Sequence, residues 1–118
     1  MTHWKKPIRN DGQYTWLDRI NQGLKRYEGR LYHKDWVNVE VGDTIEFYTN
    51  NQISLNVKII GLERYKDFGE AFDNCGTELV PIEGITREEV IKIYCDIFKK
   101  MEEEIKKIGV VAVKVQKL

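Results

Sequence analysis

Three cations and one carboxylate, Lys25, Arg26, Glu28 and Arg30, fall within six residues of the segment QGLKRYEGRL, just after Gly23. A carboxylate flanked by two cations has its charged form favoured, so Glu28 reads as a hydrogen-bond acceptor and a poor proton donor. That suits the exocyclic amine of cytosine or adenine, while the planar fork of Arg30 suits a phosphate or a base edge. Lys25 is ambiguous: Arg30 disfavours its proton and Glu28 favours it, so without burial its amine stays charged and is no nucleophile. Arg26 joins these three as a ligand-binding candidate. If the site is catalytic, Lys25 and Glu28 are the residues to carry it. A Glu28–Arg30 pair that only braces its own strand explains the same charges.

Other chemistry finds little footing. His3 and His33 lack metal-ligand spacing, so no metal is expected, and no cofactor motif is visible. Gly42-Asp43 reads as a hairpin turn and not a phosphate loop. Cys75, in a loop, and Cys95, in a helical pattern, are expected as free thiols. A chain of 118 residues suits one domain, and no apolar run approaches the roughly 20 residues of a membrane span. The start MTHWKKPIRNDGQ lacks the apolar stretch of a secretory signal, so an intracellular protein is expected, cytoplasmic or nuclear.

Net charge is zero, yet residues 1–34 carry eight cations against three acids. Trp4, Tyr14, Trp16, Tyr27, Tyr32 and Trp36 lie in or beside that stretch, a mix used for phosphate attraction and base stacking on single strands. Lys5 and Lys6 are the expected phosphate contacts of its N-terminal part. The zero net charge argues against strong binding to long duplexes.

The elements that must position these residues follow from periodicity. Residues 1–12 show none and read as an arm. TWLDRINQG puts Trp16, Leu17 and Ile20 on one helical face, ended by Gly23. YEGRLY is a short strand whose two-residue period puts Glu28 and Arg30 on one face, with Lys25 at its mouth. WVNVEV alternates and turns at Gly42-Asp43. Residues 44–63 form a hairpin about Asn50-Asn51. Asp67 and Glu70 are spaced to cap a short helix, as are Thr86 and Glu89 to open a longer one. From Val90 through Tyr94, Ile97, Met101 and Ile105 to Ile108, one apolar stripe predicts a continuous helix over 86–108. VVAVKV is apolar on both faces and predicts a central strand in which Val111 and Val113 are buried.

Gly23, Lys25, Glu28 and Arg30 spell G-x-K-x-x-E-x-R, which resembles the signature of ASCH domains, the activating-signal-cointegrator homology fold of the PUA-like superfamily. VGDTIEF, RYKDFGEAF, LVP, the helix with Tyr94 and GVVAVKV resemble that family's later segments in the same order. The resemblance covers roughly residues 14–116. It implies an α+β fold: a small PUA-like β-barrel with a short N-terminal helix and a long C-terminal helix packed outside, as a single domain over 13–118. It also implies a cleft lined by the motif and binding of RNA or modified nucleobases. One bacterial branch deacetylates acetylated cytidine nucleosides with the motif lysine, a threonine and a glutamate, and another is linked to ribonuclease activity. Lys25 matches the lysine; Glu28 stands at the threonine position, a departure from that catalytic set. Three readings follow: a module that binds single-stranded RNA or a modified nucleoside, a hydrolase on the same cleft, and a protein-interaction module docking a partner through the long helix or basic arm.

Overall fold

In the computed structural model, which describes residues 1–99 and 101–118, the chain runs β1 (His3–Pro7), β2 (Asn10–Asp11), β3 (Tyr14–Thr15), α1 (Trp16–Asn21), β4 (Tyr27–Leu31), β5 (Thr44–Tyr48), β6 (Ser54–Tyr65), α2 (Phe68–Cys75), α3 (Arg87–Ile97), α4 (Glu102–Ile108) and β7 (Val110–Lys117). Five strands in the order β1-β5-β6-β7-β4 form one curled half-barrel. β1 runs parallel to β5, and the other pairs are antiparallel. The expected hairpin is β5 and β6. It turns Ile45, Phe47, Val57 and Ile59 inward, all fully buried. A register shift between Ile59 and Gly61 bends β6 and helps the sheet curl.

β7 lies between β6 and β4, and Val110, Val111, Ala112 and Val113 are all buried. Apolar side chains on both faces therefore identify a strand covered on both sides. Glu89 and Thr86 cap α3 reciprocally, Asp67 accepts from the Glu70 N–H at the start of α2, and Gly23 takes a positive φ just past α1. Among the described residues, no helix is long and apolar enough to cross a membrane.

Four expectations change. The arm at residues 1–12 contains two strands, β1 and β2, and in β1 Trp4 and Lys6 are half-buried while His3, Lys5 and Pro7 are exposed. A lysine in an inward position hid this alternation. Lys6 is accommodated because its ammonium meets Asp35 at 2.6 Å and the rings of Trp4 and Trp36 at 5.5 and 5.4 Å. Asp43 fastens the strand by accepting from the Thr2 N–H and the Trp4 indole at 3.0 and 2.9 Å. The valine alternation of WVNVEV is not a strand: a 3-10 turn over Lys34–Val37 drives Trp36 into the core, and only Val39 of the three valines is buried.

The 86–108 helix is two helices, with Lys100 outside the described residues. Phe98 leaves helical geometry, and its ring lies parallel to Phe68 at 5.6 Å. Cys75 closes α2 and is buried, instead of lying in a loop; both thiols are free.

Candidate functional site

β4 is one edge of the half-barrel and β1 the other, and Arg30 spans the gap: its Nη2 donates to the Pro7 carbonyl at 2.6 Å. Beside this bridge opens a cleft of about 420 Å³, within the range of small-molecule sites. Glu28, Gly29 and Arg30 form one wall and Pro7, Ile8 and Arg9 face them, with Trp16 also lining the cleft. The end of α3 adds Tyr94, Asp96, Ile97 and Phe98.

The polar centre of that wall is a relay of charged groups. Arg30 Nη2 meets Glu28 Oε2 at 2.9 Å, and Lys25 Nζ lies 3.5 Å from Glu28 Oε1. Lys25 is not at the rim: it is 1% exposed, its Nζ donates to the Leu79 carbonyl, and it sits 5.0 Å from the Trp16 ring centre. Burial pulls its ammonium below the ordinary lysine range, opposed by the Glu28 carboxylate and assisted by Arg30. The expectation of a normally charged lysine assumed exposure, which helix and strand packing removes. Arg30 lies over Trp36 and Phe47 at 5.1 and 6.0 Å, so its plane is fixed as well as its contacts.

Three of the four candidates are thus joined, Lys25 behind the wall and Glu28 and Arg30 in it. Arg26 stands apart from Glu28 and Arg30: it is exposed, pairs with Glu78 at 3.3 Å, and lines a different surface depression with Gly23, Lys25 and Lys117. Of the basic N-terminal residues, Lys6 is tied to Asp35, whereas Arg9 stands at the cleft, stacked 4.4 Å from Tyr14 and paired with Asp11.

Tyr94 was legible only as part of an apolar stripe. Its ring is stacked 3.8 Å from Phe68, nearly parallel, which aims its hydroxyl at Gly29 in the cleft wall. Burial, with the Glu28 charge adding to it, raises the Tyr94 phenol well above its ordinary value, so it is a neutral hydrogen-bond donor. No spacing in the sequence links Tyr94 to Gly29; contact between α3 and β4 makes the pair. Among the described residues, no three His, Cys, Asp or Glu side chains are grouped to hold a metal ion.

The ASCH domain family matches residues 13–118. The fold is similar to the crystal structure of the hypothetical protein PH0355, at 28% identity over 99% of this chain and 100% of that one, with a TM-score of 0.83. A Pyrococcus furiosus protein solved by solution NMR is 27% identical over 99% and 98% of the two chains, with a TM-score of 0.75. An ASCH domain from Lactobacillus crispatus JV V101 shares the fold at 12% identity, covering 98% of this chain and 79% of that one, with a TM-score of 0.61. No curated protein matches the chain.

Proposed function

The chain belongs to the ASCH domain family, a family thought to bind RNA, and on that footing we propose that its cleft takes one base of a single-stranded RNA or a free, including modified, nucleoside. The observation that carries this reading is Glu28: a carboxylate 5% exposed, held between Lys25 and Arg30, in the wall of a cleft that Ile8, Trp16, Ile97 and Phe98 also line, with Arg9 and Asp96 beside them. Apolar and aromatic walls take the flat faces of a base, and a fixed acceptor takes an exocyclic amine. Arg9 at the cleft supplies a cation for a phosphate.

The test is a screen of nucleosides and short single-stranded RNAs that records both binding and product. Glu28→Gln keeps the shape but loses the charge and one acceptor, and is expected to weaken binding by about 1–3 kcal/mol. Loss of stability with every affinity unchanged would leave Glu28 as a brace for β4.

The burial of Lys25 favours a second reading, hydrolysis at the same cleft, because a lysine with lowered proton affinity is a better base or nucleophile at neutral pH. Its amine, however, is engaged by Leu79 and Glu28, which suits holding the carboxylate better than attacking a ligand. Lys25→Met separates the two: binding that persists with all turnover lost supports hydrolysis. Absence of product from the native protein with every nucleoside and RNA bound refutes it.

A further inference from the structure

Strand β4 has a neighbour on one side only, and its pairing with β7 decides which main-chain groups face the open side. The Val115 N–H donates to the Arg26 carbonyl and the Tyr32 N–H to the Gly109 carbonyl. Arg26, Glu28, Arg30 and Tyr32 share one parity, so Glu28 and Arg30 direct their main-chain groups at β7. The intervening Gly29, opposite Ala112, directs its N–H and C=O away from β7. Glu28, Gly29 and Arg30 are consecutive, yet all line the cleft. A residue without a side chain can do so only through its main chain. Gly29 is buried, and among the described residues no loop or side-chain hydrogen bond reaches its outward groups. Buried main-chain donors and acceptors are ordinarily paired, so this pair is available to a ligand.

We propose that the outward N–H and C=O of Gly29 pair with the edge of the bound base and, together with Glu28, select bases that carry an exocyclic amine. This rests on the base-binding reading above. Along β4 the cleft offers two acceptors, the Gly29 carbonyl and the Glu28 carboxylate, and the Gly29 N–H as a donor, while Arg9, Arg30, Tyr94 and Asp96 supply further polar groups around it. An amine has two protons, one for each acceptor, and the adjoining unprotonated ring nitrogen, N3 of cytosine or guanine and N1 of adenine, accepts from the Gly29 N–H. Uracil and hypoxanthine have a single ring N–H on that edge, so one acceptor is left without a proton, and a carbonyl turned toward Glu28 is repelled. Glycine is required because a Cβ here would lie 2.8 Å from the Tyr94 hydroxyl, closing the approach to the main chain.

The experiment uses the full chain labelled with ¹⁵N-glycine, which has nine glycines, the Gly29 signal being identified by its absence in Gly29→Ala. Cytidine, uridine, adenosine, guanosine and inosine are titrated separately. The expected result is a downfield shift of the Gly29 amide proton, with cytidine binding about 10-fold or more tightly than uridine and adenosine or guanosine likewise exceeding inosine. Equal binding by the amine-bearing and keto members of these pairs, or nucleoside binding that leaves the Gly29 amide unmoved, overturns the inference while base binding stands. No response to any of the five overturns both.

Discussion

Gly29→Ala tests the construction of the cleft wall independently of any ligand. The added methyl would sit 2.8 Å from Tyr94 Oη and 3.2 Å from both Tyr94 Cζ and Phe68 Cε1. Turning either ring away breaks their mutual stack at 3.8 Å, and moving Phe68 also breaks its stack on Phe98. Overpacking of this kind costs about 1–3 kcal/mol, and replacing glycine returns about 0.4–1 kcal/mol through the unfolded chain, for a net loss between about 0 and 2.6 kcal/mol. Urea unfolding followed by tryptophan fluorescence should show a lower midpoint with an unchanged slope. Tyr94→Phe removes the nearest atom but keeps the ring, so Gly29→Ala should cost less in a Tyr94→Phe background, with a coupling of about 0.5 kcal/mol or more. If the cost of Gly29→Ala is the same in both backgrounds, then Tyr94 does not close over Gly29.

Gly109→Ala should be among the most damaging glycine substitutions: φ is +72° and the new Cβ would meet the Tyr65 carbonyl at 2.8 Å, against open space at Gly23 with φ +79°. Urea midpoints should fall by more for Gly109→Ala than for Gly23→Ala, whose cost is limited to about 1–2 kcal/mol of backbone strain. Asp43 is held below the usual carboxylate range by bonds from Trp4, Thr2 and Glu40, so its contribution is present above about pH 4 and is lost as acid protonates it. Asp43→Asn should therefore lose less stability than the native chain between about pH 5 and 2, and equal losses would refute the assignment. Lys25 shifts stability in the same direction with pH but at the alkaline end: with its folded affinity for protons lowered, the unfolded chain holds more protons as pH rises toward about 10.4, and native stability gains. Any stability advantage of Lys25→Met should thus shrink between pH 7 and 10, and a constant difference in urea melts would count against a buried, depressed lysine. For RNA binding, Arg9→Ala should lower affinity and reduce the salt dependence by about one counterion, whereas a salt slope unchanged in that variant would remove Arg9 from the phosphate contacts.

Local periodicity alone determined much of this protein. Trp16, Leu17 and Ile20 could share a face only on a helix, Ile45 and Phe47 only on a half-buried strand, and VVAV only in a strand covered on both sides; all of these are found as read. The two-residue period of a strand likewise set Glu28 and Arg30 on one face, and the ordered motifs were enough to identify the family. What periodicity misread were places where a distant partner overrides the local pattern. Lys6 looks like a solvent residue until Trp4, Trp36 and Asp35 surround it, and the helix after Thr86 looks continuous until Phe98 is drawn onto Phe68. The cleft is the extreme case. Its depth comes from the curl that brings β1 to β4, the lowered proton affinity of Lys25 from burial, and the placement of the Tyr94 hydroxyl from a ring stack between helices. Each is a contact between segments far apart in the chain, formed only when the sheet curls and the helices cover it, and no spacing along the sequence encodes such a distance.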